Sequence, residues 1–308
     1  MERINSEGNF TGSIRYDEPM FSHTTFKVGG KADVWVRPSK DIFPGYCARL
    51  LKAAGQEGIP VFILGAGANI VVSDRGIRGI VLDTGEWEGV EVFADSSHVS
   101  VLSGTLVDSL VDSLSAQGLS GMEFLAGMPG SVGGALWMNA RCYEKSVSDL
   151  LVETDILDEN FQREKVPLRA EDFSYKKSPF QSRNVLILSA LFAVQSGESP
   201  GIDRDTASYR KDRSDKGHYR FPCAGSAFKN NPGFGDPSGR IIDQLGLKGL
   251  SIGGAQVAPW HGNLIINTGN ALAGDIKTLM DEVRRRVKEE RGFDLESELL
   301  FVGDWTPQ

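Results

Sequence analysis

The sequence predicts an α+β protein, and three observations support that fold class. Short apolar runs bounded by Gly, Pro or polar residues recur along the chain and are typical of strands. Apolar residues at helical spacing mark amphipathic helices, the longest at 273–291. Gly is frequent, at 36 of 308 residues, and lies in short loops between apolar runs without any period. We therefore expect many backbone-shaped turns within a packed protein.

The start of the chain is predicted to form a polar arm at 1–20 and an α/β unit at 21–85. Alternation of apolar and polar residues marks the first strand, and a helix follows it. The remaining signals are a buried strand, a glycine loop and two more short strands, at 61–64, 65–69, 70–72 and 80–82. This order is typical of a compact α/β unit.

An α+β subdomain is predicted at 86–196. Its helix, at 105–117, has Leu and Val recurring at i+4 and is stopped by Gly118. Strands are expected at 91–103, 150–157 and 185–194, with a charged connection at 158–184.

The clearest linker is the Ser-Gly-Glu-Ser-Pro-Gly run at 196–201. A further domain is predicted after it at 202–292, and a strand-like segment closes the chain at 293–308. The elements expected here are three helices and two strands, at 203–215, 241–245, 273–291, 264–267 and 295–302.

Composition excludes several classes of protein. A net charge of −8 disfavours nonspecific binding to nucleic acid. Cys47, Cys142 and Cys223 are far apart, so neither a disulfide framework nor a zinc site is indicated, and the four His residues lack metal-ligand spacing. No apolar run approaches the ~20 residues of a membrane span, and the N-terminus lacks a signal-peptide core. We expect a cytoplasmic monomer without metal, nucleic-acid or membrane partners.

Two glycine-rich stretches are candidate ligand loops. Gly65-Ala66-Gly67-Ala68-Asn69 lacks the third Gly of a dinucleotide fingerprint and leads into a strand, which disfavours a Rossmann site. The second stretch, 124–135, places four Gly and a Pro between apolar flanks. Either loop alone is about as well explained by a tight turn. Together they favour a large dinucleotide such as FAD, held by backbone N–H groups.

Three polar segments could carry chemistry, and each also has a plain structural explanation. Segment 224–232 brings a hydroxyl, an amine and an amide together, but Asn and Gly also favour turns. Tyr175-Lys176-Lys177-Ser178 lies in a polar connection, where such a run is usually a solvated basic turn. Glu296 and Glu298 share one face of a strand, as many exposed acids do.

Taken in order, these segments resemble one family. The resemblance runs from about residue 21 to 303 and rests on Thr25-Phe26-Lys27-Val28-Gly29-Gly30, Gly65–Asn69, Gly121–Ala135, Met138-Asn139-Ala140, Gly225-Ser226-Ala227-Phe228-Lys229-Asn230, Gly253-Gly254-Ala255-Gln256-Val257, His261, Asn263 and Leu295-Glu296-Ser297-Glu298. The chain is identified on these residues as a member of the UDP-N-acetylenolpyruvoylglucosamine reductases, in their shorter type II subclass.

The resemblance implies an FAD-binding fold of the p-cresol methylhydroxylase type, with two subdomains that clasp non-covalent FAD. It also implies a C-terminal α+β domain that binds a UDP-sugar, and a last strand that returns to the flavin. The implied cofactor contacts are Gly65, Ala66, Gly67, Ala68, Asn69, Gly127, Met128, Pro129, Gly130, Ser131, Gly133, Gly134 and Asn139. The implied substrate contacts are Tyr175, Lys229, Asn230, Gln256, His261 and Asn263.

The implied reaction is the reduction of UDP-N-acetylglucosamine enolpyruvate to UDP-N-acetylmuramate for peptidoglycan. In the family NADPH reduces FAD, and the flavin N5 delivers hydride to the enolpyruvyl group. Ser226 matches the proton donor and Glu298 matches the acid that stabilises the enolate. Lys176 stands where the family's Tyr-Arg-x-Ser motif has Arg; it keeps the charge but loses the bidentate fork.

Two alternatives remain at this point. The chain could be another flavin oxidoreductase of the same fold, which would not need Ser226, Lys229, Asn230 and Glu298. It could also be a flavin-binding protein that has lost activity, which the exchange at Lys176 would favour.

Overall fold

The computed structural model describes residues 10–93 and 97–306. Its α-helices are α1 (Phe43–Gln56), α2 (Val107–Ser115), α3 (Val132–Trp137), α4 (Ser199–Asp215), α5 (Ser238–Gln244) and α6 (Ala273–Arg291). Its strands are β1 (Gly12–Pro19), β2 (Lys31–Pro38), β3 (Val61–Leu64), β4 (Ile70–Val72), β5 (Ile77–Asp83), β6 (Val90–Val92), β7 (His98–Leu102), β8 (Leu119–Ser120), β9 (Arg141–Cys142), β10 (Lys145–Ser146), β11 (Leu151–Leu157), β12 (Arg163–Pro167), β13 (Leu186–Ala193), β14 (Gln195–Ser196), β15 (Ser251–Ile252), β16 (Ala255–Val257), β17 (Ile265–Asn267) and β18 (Leu300–Val302). Mixed helices and sheets confirm the α+β prediction.

The chain forms two compact units, each made of several segments. Unit 1 comprises Met1–Arg15, Val34–Ala66 and Gly79–Lys211, and unit 2 comprises Tyr16–Asp33, Gly67–Arg78 and Asp212–Gln308. The chain crosses from unit 1 to unit 2 for the last time between Lys211 and Asp212, which lie inside α4. This boundary does not coincide with the linker predicted at 196–201. The two subdomains expected at 21–85 and 86–196 both contribute most of their residues to unit 1.

The larger sheet of unit 1 has the strand order β12-β11-β13-β7-β6, and all its pairs are antiparallel. Helix α3 packs against β13 and β7. Helix α2 buries Val107, Leu110, Val111 and Leu114 in the same core. The spacing of these four residues is the i, i+3, i+4, i+7 pattern of a helix with one apolar face.

A second sheet has the order β1-β2-β5-β3, and β3 runs parallel to β5. Helix α1 covers it with Phe43, Tyr46 and Leu50, which are fully buried against Ile80 and Leu82. Burying a side chain of this size contributes about 1.5–3 kcal/mol.

Unit 2 has a small antiparallel sheet, β15-β16-β17, and a parallel pair, β18-β4. Helix α6 packs on β15 and β16 through buried apolar side chains along one face. Its N-terminus is capped by the Asp74 carboxylate, which accepts hydrogen bonds from the amides of Ala273 (2.9 Å) and Gly274 (2.8 Å). Gly292 ends the helix in a left-handed conformation, at φ 72°.

Two segments expected to be irregular are strands. The predicted N-terminal arm is wrong from residue 12 onward, because Gly12–Pro19 forms β1; residues 1–9 lie outside the described residues. The charged connection at 158–184 contains β12, which pairs with β11. Both are edge strands with mostly exposed side chains, so they lack the apolar alternation that marks a half-buried strand.

The predicted closing strand at 295–302 is shorter than expected, since only Leu300–Val302 forms β18. In the described part of the chain, no helix is both long and apolar enough to span a bilayer.

Candidate active site

The glycine-rich stretch and the loop after β3 lie side by side in unit 1. A Cβ placed on Gly65 would lie 2.3 Å from Ser131 Oγ, so only Gly fits this approach. Ser131 is the N-cap residue of α3, and its hydroxyl accepts a hydrogen bond from the exposed Gly134 at 3.3 Å. The two loops that the sequence paired therefore do meet, through Gly65 and Ser131.

Several predicted backbone donors of this stretch are engaged within the protein. The Gly127 amide donates to Asp108 Oδ1 at 2.7 Å, and the Gly133 amide donates to the Ser103 carbonyl at 2.8 Å. Gly127 and Gly130 have φ angles of 71° and 134°, which explains Gly at both positions. Gly134 is exposed, its amide is used by the Ser131 hydroxyl, and Ser131 itself is only 2% exposed. Exposed glycine main chain beside a close loop contact fits an extended anionic ligand such as FAD.

The rest of the first loop belongs to unit 2. Gly67 has φ 64°, and a Cβ there would lie 2.1 Å from the His23 carbonyl oxygen. The Asn69 side chain donates to the Glu298 carbonyl at 3.0 Å, and the Asn69 carbonyl accepts from Leu300 at 3.0 Å. Asn69 therefore links this loop to the C-terminal segment of unit 2, as a main-chain support for Glu298.

Ser226 and Glu298 lie on neighbouring extended segments of unit 2. The Glu298 amide donates to the carbonyl of Ala227 at 2.9 Å, directly after Ser226, and Ser226 itself faces Leu264 in an antiparallel bridge. Both side chains belong to residues of intermediate exposure. The structure thus places two of the three residues predicted for catalysis on backbone segments that are hydrogen-bonded to each other.

Asn263 supports this pair from within the core. Its residue is 4% exposed, its Oδ1 accepts from the Phe228 amide at 2.9 Å, and its Nδ2 donates to the Phe228 carbonyl at 2.8 Å. The oxygen and the nitrogen of the Asn263 carboxamide are thus both hydrogen-bonded to the main chain of Phe228. This geometry favours a supporting role over the substrate contact that the sequence suggested.

The remaining predicted substrate residues of unit 2 have protein partners as well. Lys229 forms an ion pair with Glu296, and the Asn230 side chain accepts from Ser238 at the start of α5 (3.0 Å). Gln256 donates to the Gly249 carbonyl at 3.3 Å.

His261, which was predicted to contact the substrate, lies close to this segment and is paired with His218, which the sequence did not single out. The rings of His218 and His261 are 6.0 Å apart, and His261 Nδ1 accepts from the Asn263 amide at 3.1 Å. Burial, followed by the charge of Arg213, lowers the pKa of His218 to about 4, and burial also lowers the pKa of His261. Both imidazoles are therefore neutral at pH 7.

Lys176, the third predicted catalytic residue, lies in unit 1 within a tight turn. Ser174 and Lys177 exchange two backbone hydrogen bonds of 3.1 and 3.0 Å, which leaves Tyr175 and Lys176 at the tip. Tyr175 is 40% exposed, and Lys176 has φ 58°. Asn139, which was expected to contact the cofactor, is buried, and its side chain instead donates to the Ser174 carbonyl at 2.9 Å.

Two residues that hold these groups were missed from the sequence. Asp108 fixes the Gly127 amide and also binds Arg210, and Gln181 donates to the Lys176 carbonyl. Nothing in their sequence surroundings separates them from other polar surface residues.

The first half of the chain contains a known cofactor-binding domain. Residues 45–160 match the family model described as FAD binding domain. With the glycine-lined contact of Gly65 and Ser131, this match defines the protein as an FAD-binding protein.

The second half of the chain gives the family. Residues 217–302 match the model described as UDP-N-acetylenolpyruvoylglucosamine reductase, C-terminal domain. The UDP-N-acetylenolpyruvoylglucosamine reductase of Treponema denticola is 40% identical over 309 residues, which cover 96% of this chain and 95% of that protein. The reductase of Bacillus velezensis is 35% identical, with 95% of each chain covered.

A solved structure agrees with these relatives. The crystal structure of UDP-N-acetylenolpyruvylglucosamine reductase from Thermus caldophilus superposes with a TM-score of 0.77 at 30% identity, covering 95% of this chain and 99% of that one. The chain belongs to the UDP-N-acetylenolpyruvoylglucosamine reductase family, whose members are enzymes of peptidoglycan precursor synthesis.

Proposed function

We propose that this protein reduces UDP-N-acetylglucosamine enolpyruvate to UDP-N-acetylmuramate, with NADPH as the hydride source. The observation that carries the proposal is the match of residues 217–302 to the C-terminal domain of this reductase family, a range that contains both Ser226 and Glu298. A hydroxyl that donates a proton and an acid that stabilises negative charge suit a reaction in which an enolate forms and is then protonated.

FAD would be held non-covalently in unit 1 by Gly65, Ala66, Gly130, Ser131 and Gly134. When bound, it supplies the hydride that the enolpyruvyl methylene carbon receives. The glycine main chain of the two loops would lie against the phosphates of the cofactor, because Gly lets a ligand approach the backbone closely. Because Gly65 has no side chain, its close contact with Ser131 would leave space for the cofactor at these loops.

Ser226 would donate the proton that completes the product. A serine hydroxyl is a weak acid, so its proton moves only when negative charge has built up on the adjacent carbon. Gly225, at φ 76°, sets the turn before Ser226, and the bridge to Leu264 fixes its backbone.

Lys176 would stabilise the charge that develops on the substrate carboxylate, and Glu298 would stabilise the enolate as a protonated acid that donates a hydrogen bond to it. A cation near a developing oxyanion lowers the barrier strongly in a site with little water. Lys176 supplies a single ammonium where a guanidinium would supply two parallel donors, so we expect one contact where the family's arginine would make two.

Binding of the UDP-sugar is assigned to Tyr175, Lys229, Asn230, Gln256 and His261. The neutral His261, whose Nδ1 accepts from Asn263, is left with Nε2 as a hydrogen-bond donor. Asn263 and Asn139 would act indirectly, by fixing the segments that carry Ser226 and Lys176.

The protein is further proposed to work as a cytoplasmic monomer, since its substrate is a water-soluble nucleotide sugar and each proposed residue comes from this one chain. Gel filtration with light scattering would show a single-chain mass of 33.5 kDa. A dimer at micromolar concentration would contradict this part.

The test of the function is anaerobic. The flavin of the purified holoenzyme is reduced with one equivalent of NADPH, and UDP-N-acetylglucosamine enolpyruvate is then added. We expect the flavin absorbance to return and UDP-N-acetylmuramate to appear. A flavin-loaded enzyme that stays reduced would overturn the proposal, and UDP-N-acetylglucosamine without the enolpyruvyl group serves as the control ligand.

A further inference from the structure

We propose that Gln181 is a positioning residue that fixes the backbone of Lys176 in a left-handed turn. This inference rests on the proposed role of Lys176. It adds a residue to which no role has been assigned so far, and it explains how a lysine is kept in a conformation that lysine disfavours.

The turn at 174–177 is unfavourable for the residue it carries. Lys176 has φ 58°, in the region that side chains with a Cβ rarely adopt. Four-residue turns with positive φ at the third position favour Gly or Asn there. A lysine at this position costs free energy, so the surroundings must hold it in place.

Gln181 supplies such a hold. Its Nε2 donates to the Lys176 carbonyl at 3.1 Å and to the Trp137 carbonyl at 2.9 Å. A carboxamide nitrogen has two N–H groups, so both are used. The Trp137 carbonyl, at the C-terminus of α3, also accepts from Ser178 Oγ at 2.7 Å, which makes it a fixed anchor.

The other end of the turn is tied to the same part of unit 1. Asn139 donates to the Ser174 carbonyl at 2.9 Å, and Asn139 is only 2% exposed. The Lys176 ammonium lies 3.5 Å from the Arg141 carbonyl oxygen. Of the two amide side chains, Gln181 is the one that bonds residue 176 itself, and it is only half-buried.

These contacts join the proposed catalytic lysine to the segment that follows the glycine-rich stretch. The carbonyl of Lys176 can leave its present position only if the bond from Gln181 breaks. A displacement of about 1 Å at a reacting group can cost roughly 10²-fold in rate. Loss of the Gln181 donors should therefore act on the step that uses Lys176 and leave other steps intact.

The experiment compares Gln181→Glu, Gln181→Lys and Ser182→Ala in the full-length holoenzyme. Glu has the shape of Gln but lacks both N–H donors, whereas Lys restores donors at that position. Ser182 is the exposed neighbour whose hydroxyl bonds the Pro179 carbonyl, and it serves as the control. Rates of flavin reduction by NADPH and of reoxidation by the enolpyruvyl substrate are measured separately.

For Gln181→Glu we expect reoxidation to slow by roughly 10-fold, with KM for the substrate, flavin occupancy and the reduction rate changed less than about twofold. Gln181→Lys should recover most of the lost rate, and Ser182→Ala should match the wild type.

Wild-type reoxidation in Gln181→Glu would overturn the inference and leave the proposed function standing. A joint fall in flavin occupancy, thermal stability and both half-reactions would also overturn it, because that pattern indicates a general structural role. A wild-type enzyme that is never reoxidised would overturn the function and this inference together.

Discussion

The two units hold their proposed reactive residues by different means. In unit 2, main-chain hydrogen bonds fix Ser226 and Glu298, through Ala227, Asn263 and Lys229. In unit 1, Lys176 occupies a turn whose two ends are braced by the side chains of Gln181 and Asn139.

This difference predicts that the contacts in unit 2 mainly stabilise the fold, whereas those in unit 1 mainly align a reactive residue. The main-chain hydrogen bonds of residues 227–229 to Asn263, Glu296 and Glu298 form a backbone ladder in the core of unit 2. Weakening this ladder should therefore lower the free energy of unfolding. The turn at 174–177 is mostly exposed, and its braces should influence the rate of one step more than folding.

The largest expected effect concerns the reactive hydroxyl on the ladder. Ser226→Ala removes the proposed proton donor and should lower turnover by roughly 10²–10⁴-fold, as expected for loss of a general acid. Ser226 is only partly buried, and its bridge to Leu264 uses main-chain groups. The Ser226→Ala variant should therefore still fold. Steady-state rates and a circular dichroism melt would measure both effects. Turnover within threefold of wild type would remove Ser226 from the mechanism.

The next effect tests the loop contact in unit 1. Gly65→Ala places a Cβ 2.3 Å from Ser131 Oγ, so we expect the purified protein to lose most of its flavin. Adding Ser131→Ala leaves the Ser131 Cβ at 3.5 Å from the new methyl, an ordinary contact, and should restore the loop. Flavin absorbance per protein gives the occupancy. Full occupancy in Gly65→Ala would show that this contact lies away from the cofactor.

A moderate effect is expected where the ladder meets the core. Asn263→Ala leaves the buried amide and carbonyl of Phe228 without their partners, at a cost of roughly 1–3 kcal/mol in the free energy of unfolding. Urea denaturation measures it, with the exposed Gln244→Ala as the control. If Gln181→Ala lowered the free energy of unfolding as much as Asn263→Ala, the claim that the ladder stabilises the fold more than the turn does would be contradicted.

The smallest effect is a pH dependence near the ladder. His218 has its pKa lowered to about 4 by burial, then by the charges of Arg213, His261 and Lys216, while Asp212 acts in the opposite direction. Between pH 6.5 and 4 the unfolded chain binds more protons at this residue than the folded protein does. Its contribution to stability is therefore complete above pH 6.5 and is lost as the pH falls towards 4.

His218→Leu should flatten that part of the stability curve, even though His261 still titrates. Denaturation midpoints at pH 7.5, 6, 5 and 4 would show a shallower decline than in the wild type. An identical slope in both proteins would show that His218 is not a source of the acid sensitivity.

The sequence pattern predicts many of the helices and strands, and where it fails the reason is physical. The helix at 273–291 was predicted with its observed ends, because its apolar face is periodic and Gly292 stops it. The strands β1 and β12 were missed because edge strands expose both faces.

The supporting residues show a different limit. Asn139 and Asn263 were expected to touch ligands, yet both side chains bond main-chain groups of this chain, and Gln181 was not predicted to have a role. An amide side chain looks the same in sequence whether it faces a ligand or a peptide group. Only the tertiary partners decide between these roles.

The most direct measurement is anaerobic stopped-flow on Lys176→Gly beside Lys176→Arg. Gly suits φ 58°, so the turn should remain while the ammonium is lost. We expect flavin reduction by NADPH at the wild-type rate and reoxidation by the enolpyruvyl substrate slowed roughly 10²–10³-fold in the Gly variant, with Arg close to wild type. Reoxidation of Lys176→Gly at the wild-type rate would contradict the role of the turn and of the residue it holds.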